Sequence, residues 1–277
     1  MKIDANSVTF EPQDMAFVKK FGILKATEMA LDYHAEHPNL PFLYDAEQLA
    51  GFLGISRGEL NDIVNHIQKE YKETRLPKKD GTYRSLCVPS IRLRFCQDPI
   101  KEKILPQLPV SKFATAYQKG STTRENAEPH IGKKFLLKLD ITDFFGSITF
   151  EQVQRTAFNT RYVSRQVGYL LTSLCCKDDS LPQGAATSPA LSNIVMYRFD
   201  DYIGRWCIQR QIAYTRYCDD MTFSANRPLY GVYQKVKTML REMGFELNES
   251  KTHFIGNDNR QSVTGLVVNE KLSIPSG

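Results

Sequence analysis

Three aspartates are the residues of this sequence that are best suited to chemistry. Asp140 ends an apolar segment, and Asp219 and Asp220 stand side by side 79 residues later. Carboxylates that converge from separate segments can hold two divalent cations about 3.5–4 Å apart, which stabilise the entering and leaving oxygens of an in-line displacement at phosphorus. The alternative interpretation, that Asp219-Asp220 is merely a polar turn, does not explain its apolar flanks. The triad therefore predicts nucleotidyl transfer.

Two β-structures must position these carboxylates. The stretch 135–140 alternates as a strand does, with one apolar face and one face that carries the polar residues: Phe135, Leu137 and Leu139 against Leu136, Lys138 and Asp140. The stretch 212–223 is rich in β-branched and aromatic residues, which predicts a hairpin. Adjacent residues of a regular strand point to opposite faces, so Asp219 and Asp220 can both approach a metal only at a turn. We expect the strand and the hairpin to lie side by side.

Helices are predicted in the sequence before, between and after these strands. Up to about residue 71 the chain reads as helical, with Asp45 as one N-cap and with Ser56 and Glu59 as a capping box. Ser188 and Pro189 predict a helix start just after 182–184, and 229–243 reads as an amphipathic helix closed by Gly244.

Further strands are predicted in the basic segment and near the end of the sequence. The stretch 77–84 contains an Asp-Gly turn between two extended segments, which indicates a hairpin. The stretches 245–248 and 263–268 read as two more strands. Strands interleaved with helices in this order predict an α+β fold, with helices on one face of the sheet.

The composition is that of a folded protein without a membrane span. Hydrophobic residues make up 42% of the 277 residues and charged residues 24%, and no apolar run approaches the length of a span. The N-terminal stretch MKIDANSVTF lacks the order of a signal peptide. The six cysteines show neither a CxxC pair nor zinc spacing, so we expect reduced thiols. A cytosolic protein that makes no membrane contact is predicted.

Positive charge is concentrated in one part of the sequence. Residues 71–138 contain 15 Lys and Arg against 6 Asp and Glu, a local charge of +9, whereas the whole chain carries +5 and the remainder therefore −4. A basic segment next to an acidic one is the layout of a nucleic-acid groove that faces a metal site. A solvated basic face would have the same composition, so charge alone leaves both interpretations open.

Three segments carry a resemblance to a known family. In order and spacing, LKLDITDFF (137–145), LPQGAATSP (181–189) and YCDD (217–220) resemble the central motifs of reverse transcriptases, and the resemblance extends from about residue 75 to 268. Within that family the chain looks most like bacterial retron enzymes: NAEPH (126–130) resembles their NAxxH element, and VTG (263–265) resembles their VTG element. Group II intron reverse transcriptases are the alternative relatives.

The resemblance implies a role for each motif residue. Asp140 and Asp219 match the principal ligands of two Mg²⁺ ions, with Mn²⁺ able to substitute, and Asp220 matches a looser third ligand. The carbonyl of Ile141 is a further candidate ligand. Phe145 matches the bulky residue that excludes a 2′-hydroxyl, and a rigid ring can indeed reject one extra oxygen by contact. A core aromatic is the alternative for Phe145, and we expect one of the Phe144-Phe145 pair to be one.

Other matches concern the nucleotide and the RNA. Gln183 and Gly184 match the nucleotide-binding turn, and Arg84 with Lys78 or Lys79 matches the residues that hold the triphosphate, although either lysine alone is equally well a solvated surface residue. Lys251 matches a basic residue thought to protonate departing pyrophosphate. The resemblance assigns RNA contacts to two more residues, of which the second is otherwise a structural histidine: Asn126 and His130.

Three departures from the family pattern stand out. Cys218 replaces the usual alanine of the acidic motif, and Gly146 stands where proline is common. The sequence ends at Gly277, where relatives continue into a helical thumb. We therefore expect an N-terminal helical region (1–70), basic fingers (71–134) and a palm (135–277), with the thumb absent or incomplete and with short products from each binding event.

The function implied is RNA-directed DNA synthesis of retron type in a bacterial cytoplasm. The expected partners are deoxynucleoside triphosphates and a structured noncoding RNA that serves as template and as primer through a 2′-hydroxyl, giving a branched RNA-DNA product. Resemblance to retrons also implies an effector protein and a role in antiphage defence. A noncatalytic RNA-binding scaffold is the rival interpretation, but a relaxed site should lose its carboxylates first.

Overall fold

Two compact units make up the chain in the computed structural model, which describes residues 1–4, 7–77, 81 and 83–274. The first unit contains residues 1–108 and 148–191, and the second contains 109–147 and 192–277. Each unit is therefore built from two separate stretches of sequence. The division into helical region, fingers and palm stays a prediction.

The α-helices lie where capping residues and apolar periodicity place them. Asp45 accepts a hydrogen bond from the Gln48 amide, and Ser56 with Glu59 forms the predicted capping box. These contacts satisfy amides that have no partner inside the helix. Among the described residues the α-helices are α1 (Met15–Phe21), α2 (Ile23–Glu36), α3 (Ala46–Leu53), α4 (Arg57–Asn65), α5 (Ile91–Pro99), α6 (Thr123–Ala127), α7 (Phe150–Thr156), α8 (Arg165–Cys175), α9 (Ser188–Ile208) and α10 (Tyr230–Glu242).

The strands form one four-stranded sheet and several two-stranded pairs. The described strands are β1 (Lys2–Asp4), β2 (Ser7–Thr9), β3 (Tyr71–Pro77), β4 (Tyr83–Pro89), β5 (Phe135–Asp140), β6 (Ala213–Tyr217), β7 (Asp220–Ala225), β8 (His253–Gly256), β9 (Ser262–Val263) and β10 (Leu266–Val267). Strands β1 and β2 pair with each other, as do β3 with β4 and β9 with β10.

The four-stranded sheet forms the centre of the second unit. Its order is β6-β7-β5-β8, and all its neighbours are antiparallel. Strand β5 has the predicted bounds, and its alternation places Leu137 and Leu139 in the core together with Phe223 of β7. Helix α9 packs beside β6, where Asp200 accepts a hydrogen bond from Tyr214. Mixed helices and antiparallel strands confirm the α+β class.

Three details differ from the sequence-based expectation. The predicted strand 245–248 contains only an isolated bridge from Leu247 to Ile141. The predicted strand 263–268 is broken into β9 and β10, because Thr264 and Gly265 both adopt positive φ (45° and 81°) and form a two-residue turn. The β1–β2 pair and β8 were not predicted, since strands of three or four residues carry too little alternation to be recognised.

The first unit contains the basic hairpin that the sequence predicted. Strands β3 and β4 are antiparallel over their whole length, with Leu76 opposite Arg84. The turn itself, with Lys78 and Lys79, lies outside the described residues. All six cysteines are free thiols, and no described helix is both long and apolar enough to cross a membrane.

Candidate active site

Antiparallel pairing places two of the three aspartates next to each other. Asp140, the last residue of β5, is the register partner of Asp220, the first residue of β7. The amide of Ile141 donates to the carbonyl of Asp219 at 3.2 Å, which extends the pairing one step into the turn. The structure therefore brings the predicted strand and hairpin side by side, with all three aspartates at one end of the sheet.

A tight turn contains Asp219, and Asp220 begins the strand that follows it. Tyr217 of β6 pairs with Asp220 of β7, so Cys218 and Asp219 form a two-residue hairpin loop. Cys218 has φ of +58°, a left-handed conformation that is unusual for a side chain with a Cβ. Because Asp219 lies in this turn, it does not follow the alternation of the strand. Such a turn is what the sequence required if Asp219 and Asp220 are both to approach one metal site.

The carboxylates are close enough to influence one another. Burial raises the pKa of Asp220, and repulsion from the carboxylates of Asp219 and Asp140 raises it further. Lys138 and Lys251 oppose this increase only in part. Carboxylates are the hard oxygen donors that Mg²⁺ prefers, so the chemistry of this donor set, though not its present spacing, suits a divalent cation.

A lysine shares the carboxylate of Asp140. The ammonium of Lys251 donates to both oxygens of that carboxylate, at 3.1 and 3.0 Å, and this contact raises the pKa of Lys251. Within the described chain no three His, Cys, Asp or Glu side chains are arranged to hold a metal ion. Because the Lys251 ammonium contacts both oxygens of Asp140, any cation that binds this carboxylate must displace the ammonium or share its position.

The two adjacent phenylalanines differ in environment. Phe144 is buried and packs against Phe245, with ring centroids 6.2 Å apart. Phe145 is only partly buried, and its ring contacts that of Phe144 at 5.6 Å between centroids. Phe144 is therefore the core aromatic of the pair, and Phe145 is the one whose ring is open to a ligand.

The predicted nucleotide-binding turn belongs to the first unit. The amide of Cys87 on β4 donates to the carbonyl of Gln183 at 2.7 Å, which fastens the turn to the hairpin that carries exposed Arg84. Gly184 has φ of +122°, and a Cβ there would lie 2.9 Å from the carbonyl oxygen of Cys87. Only glycine fits this close approach of two backbones.

Asn126 and His130 lie in the interior of the second unit. The two nitrogens of His130 contact the hydroxyls of Ser224 (2.7 Å) and Thr215 (2.9 Å), and its side chain is fully buried. Asn126 is also buried, and its amide donates to Thr264 in the VTG turn. Their predicted RNA role stays a prediction, and burial restricts it to an indirect effect through the elements they hold together.

We expect His130 to make stability depend on pH. Burial lowers the pKa of His130 from 6.5 to about 3, so the folded state excludes a proton that the unfolded state takes up. This stability is present above pH 6.5 and is lost as the pH falls toward 3, by about 2 kcal/mol between pH 7 and pH 5. Urea denaturation at both pH values measures the loss. His130→Gln should flatten the dependence, whereas the exposed control His253→Gln should keep it; an equal loss in His130→Gln would contradict the assignment.

Sequence reasoning did not identify the network beneath the turn. Arg216 is completely buried, and its guanidinium donates to both oxygens of Asp200, to the side-chain oxygen of Asn193, and to the carbonyl of Cys218 at 2.8 Å. Burial alone would lower the pKa of Arg216, but the paired Asp200 raises it, so the guanidinium stays charged. The network connects helix α9 to the turn that carries Asp219.

A four-stranded antiparallel sheet with carboxylates at the adjoining ends of two strands defines the palm of a template-directed polymerase. A family model for reverse transcriptases, described as RNA-dependent DNA polymerases, matches residues 76–268. Retron Ec86 reverse transcriptase of Escherichia coli is 30% identical over 91% of this chain and 80% of its own length. Retron Mx65 reverse transcriptase of Myxococcus xanthus is 32% identical over 85% of this chain and 60% of its own length. The chain belongs to the reverse transcriptase family, and within it to the bacterial retron type.

Solved structures agree on the fold. Telomerase from Candida albicans, in complex with a TWJ fragment of telomeric RNA, matches 75% of this chain and 47% of its own with a TM-score of 0.53 and 12% identity. Telomerase from Candida tropicalis with the same kind of fragment matches 79% of this chain and 49% of its own with a TM-score of 0.50 and 13% identity. At this identity the likeness concerns the fold alone, and it confirms the predicted palm-and-fingers class.

Proposed function

We propose that this chain copies a structured noncoding RNA into DNA with two Mg²⁺ ions held at the end of β5 and β7. The observation that carries the proposal is the register pairing of Asp140 with Asp220, with Asp219 on the turn beside them. Reverse transcriptases generally use divalent metal ions. When bound, the ions would supply Lewis-acid stabilisation of the entering and leaving oxygens.

The residues of the chain would divide the remaining tasks. Asp140 and Asp219 would be the principal metal ligands, with Asp220 and the Ile141 carbonyl completing the set. Release of Lys251 from Asp140 would leave a protonated ammonium near the site, where it could donate a proton to departing pyrophosphate. In each nucleotide addition Lys251 would therefore contact Asp140 first and the departing pyrophosphate afterwards.

A separate set of residues would hold the incoming deoxynucleoside triphosphate. An exposed guanidinium on β4 suits the forked anion of a triphosphate, which is the role we assign to Arg84 together with Lys78 or Lys79. The glycine backbone at Gln183-Gly184 would allow the base and the primer to approach closely. Mn²⁺ should substitute for Mg²⁺, because both accept oxygen ligands.

The retron relatives support a particular template. We propose that one structured RNA serves as template and as primer through a 2′-hydroxyl, giving a branched RNA-DNA product. An effector protein and a part in antiphage defence, in the bacterial cytoplasm, belong to the same proposal. The experiment that tests the polymerase function is primer extension on an RNA template with deoxynucleotides and Mg²⁺; absence of any extension by folded protein, also with Mn²⁺, would contradict it.

Sugar selection should depend on Phe145, the partly buried ring of the phenylalanine pair. Phe145→Val removes the surface against which a 2′-hydroxyl would collide, so we expect ribonucleotide use relative to deoxynucleotide use to rise by about tenfold or more. Single-nucleotide incorporation with matched ribo- and deoxynucleotides measures the ratio. Phe144→Ala is the control, because loss of this buried ring should cost about 3–5 kcal/mol of stability and leave the ratio unchanged. Equal ratios for wild type and Phe145→Val would place the gate at another residue.

A further inference from the structure

One solvent-facing surface of the second unit combines cations with aromatic rings. Four of its members recur along α9 at helical spacing, one follows the end of that helix, and one lies on α10. Residues four and seven or eight apart share a side of a helix, so the members from α9 form a continuous stripe. We call this the α9–α10 surface, and it consists of Arg198, Tyr202, Arg205, Trp206, Arg210 and Lys235.

Direct contacts join the two helices within this surface. The ammonium of Lys235 lies 4.9 Å from the ring centroid of Tyr202 and 5.4 Å from that of Trp206, and it donates to the Tyr202 hydroxyl at 3.1 Å. The guanidinium of Arg210 lies 4.5 Å from the Trp206 ring. Cations and rings are thus interleaved, and they are held in place by one another rather than scattered over the surface.

The surface carries an excess of positive charge. One of its four cations, Arg205, forms a salt bridge, with the carboxylate of Asp201. Among the residues that the structure describes, the other three cations have no salt-bridge partner within 4 Å: Arg198, Arg210 and Lys235. Surface cations without a neutralising carboxylate attract polyanions, and the attraction falls as salt rises.

The surface is separate from the metal site. Helix α9 directs Asp200 toward β6, where it contacts Tyr214 and Arg216 in the core. The stripe lies on the opposite, solvent-facing side of the same helix, and Tyr202 is 49% exposed there. The carboxylates at the end of β5 and β7 therefore do not account for this combination of residues.

We propose that the α9–α10 surface binds a single-stranded segment of the RNA partner, with phosphates on the cations and an unpaired base on Tyr202. The inference rests on the proposed function, because it assumes that the partner is a folded RNA. RNA is favoured over other polyanions since unstacked bases stack on aromatic rings while arginine and lysine contact the backbone. The surface would hold part of the RNA outside the groove in which it is copied.

Salt-dependent binding of a labelled RNA tests the proposal. The probe is an RNA of two hairpins joined by a uridine linker that contains 4-thiouridine, and its affinity is measured by fluorescence anisotropy over a range of KCl concentrations. The variant Arg210→Gln with Lys235→Gln should bind about tenfold more weakly, with the slope of log affinity against log salt smaller by about 1.5, because two phosphate contacts are lost. Tyr202→Leu should weaken binding by a similar factor with an unchanged slope.

A matched control and a cross-link make the result specific. Arg260→Gln with Lys271→Gln removes two exposed cations of the same unit and should leave affinity and slope as in wild type. Irradiation of the bound probe should cross-link the linker to Tyr202 or Trp206. Unchanged binding by the Arg210 and Lys235 variant, or cross-links that lie only elsewhere, would overturn the proposal.

Extension of a short DNA primer on an unstructured RNA template separates this inference from the proposed function. The surface variants should extend this substrate at the wild-type rate, since none of the altered residues belongs to the metal or nucleotide site. If wild type binds the probe through the surface but makes no DNA, the proposed function fails and the RNA surface stands. If wild type makes DNA and the surface variants bind normally, the surface proposal fails alone.

Discussion

Asp219→Asn should abolish RNA-templated DNA synthesis while leaving the protein folded. Metal-bound charge stabilisation is worth several kcal/mol in the transition state, and each 1.36 kcal/mol changes the rate tenfold, so we expect a loss of about 1000-fold or more. Stability should not fall, because the carboxylate of Asp219 repels that of Asp220 and raises its pKa. Removing one negative charge from the cluster relieves that repulsion.

Three measurements together check this prediction. Primer extension gives the activity, urea denaturation gives the free energy of unfolding, and Mn²⁺ binding followed by electron paramagnetic resonance gives the affinity of the site. The control Asp258→Asn makes the same chemical change at an exposed position and should alter none of the three. Extension by Asp219→Asn at the wild-type rate would refute the metal assignment, and unfolding of the variant would refute the claim that the cluster costs stability.

Local signals in the sequence were sufficient for the elements that carry the aspartates. Alternation identified 135–140 with the bounds of β5, because apolar residues alternate along this central strand and it ends at a carboxylate; the structure buries Leu136 of the other face as well. The apolar flanks of Asp219-Asp220 identified the hairpin, and its turn contains Asp219 as expected, whereas Asp220 already belongs to β7. Capping chemistry likewise identified α3 and α4, since a cap is a contact between residues three apart.

Properties that depend on distant contacts could not be obtained in this way. A polar NAxxH element suggests an exposed binding motif, yet Asn126 and His130 are buried, because hydroxyls more than 80 residues away satisfy the histidine. The strand 263–268 was expected to be continuous, although Thr-Gly is able to form a tight turn. Among the described strands β8 pairs with β5 alone, and its four residues are too few to carry a periodic signal.

The buried ion pair left a signal that could have been used. Asp200 shares a side of α9 with Met196, Ile203 and Cys207, which are all fully buried. A carboxylate on an apolar helix face requires a buried partner, because an unpaired buried charge is costly. The cation nearest the acidic motif in the sequence is Arg216, so the pairing could have been predicted without coordinates.

Replacing Arg216 should separate its effect on stability from its effect on the active-site turn. Arg216→Met leaves the Asp200 carboxylate buried without its countercharge, and we expect a loss of about 3–5 kcal/mol of stability. The double variant Arg216→Met with Asp200→Asn removes both charges and keeps an acceptor for the Tyr214 hydroxyl. Burial raises the pKa of Tyr214 well above its usual value, so that hydroxyl remains a donor. Most of the lost stability should therefore return in the double variant.

Activity should not return with stability. In both variants the carbonyl of Cys218 has lost the hydrogen bond from Arg216, and this carbonyl belongs to the left-handed residue that directs Asp219 out of the strand. A buried hydrogen bond to a charged group contributes about 1.5–3 kcal/mol, so a loosened turn should lower kcat by about tenfold or more with little change in the KM for deoxynucleotide. Urea denaturation and steady-state primer extension give the two quantities. Recovery of both stability and kcat in the double variant would show that Arg216 only neutralises Asp200, whereas recovery of stability alone assigns to Arg216 the positioning of the metal ligands.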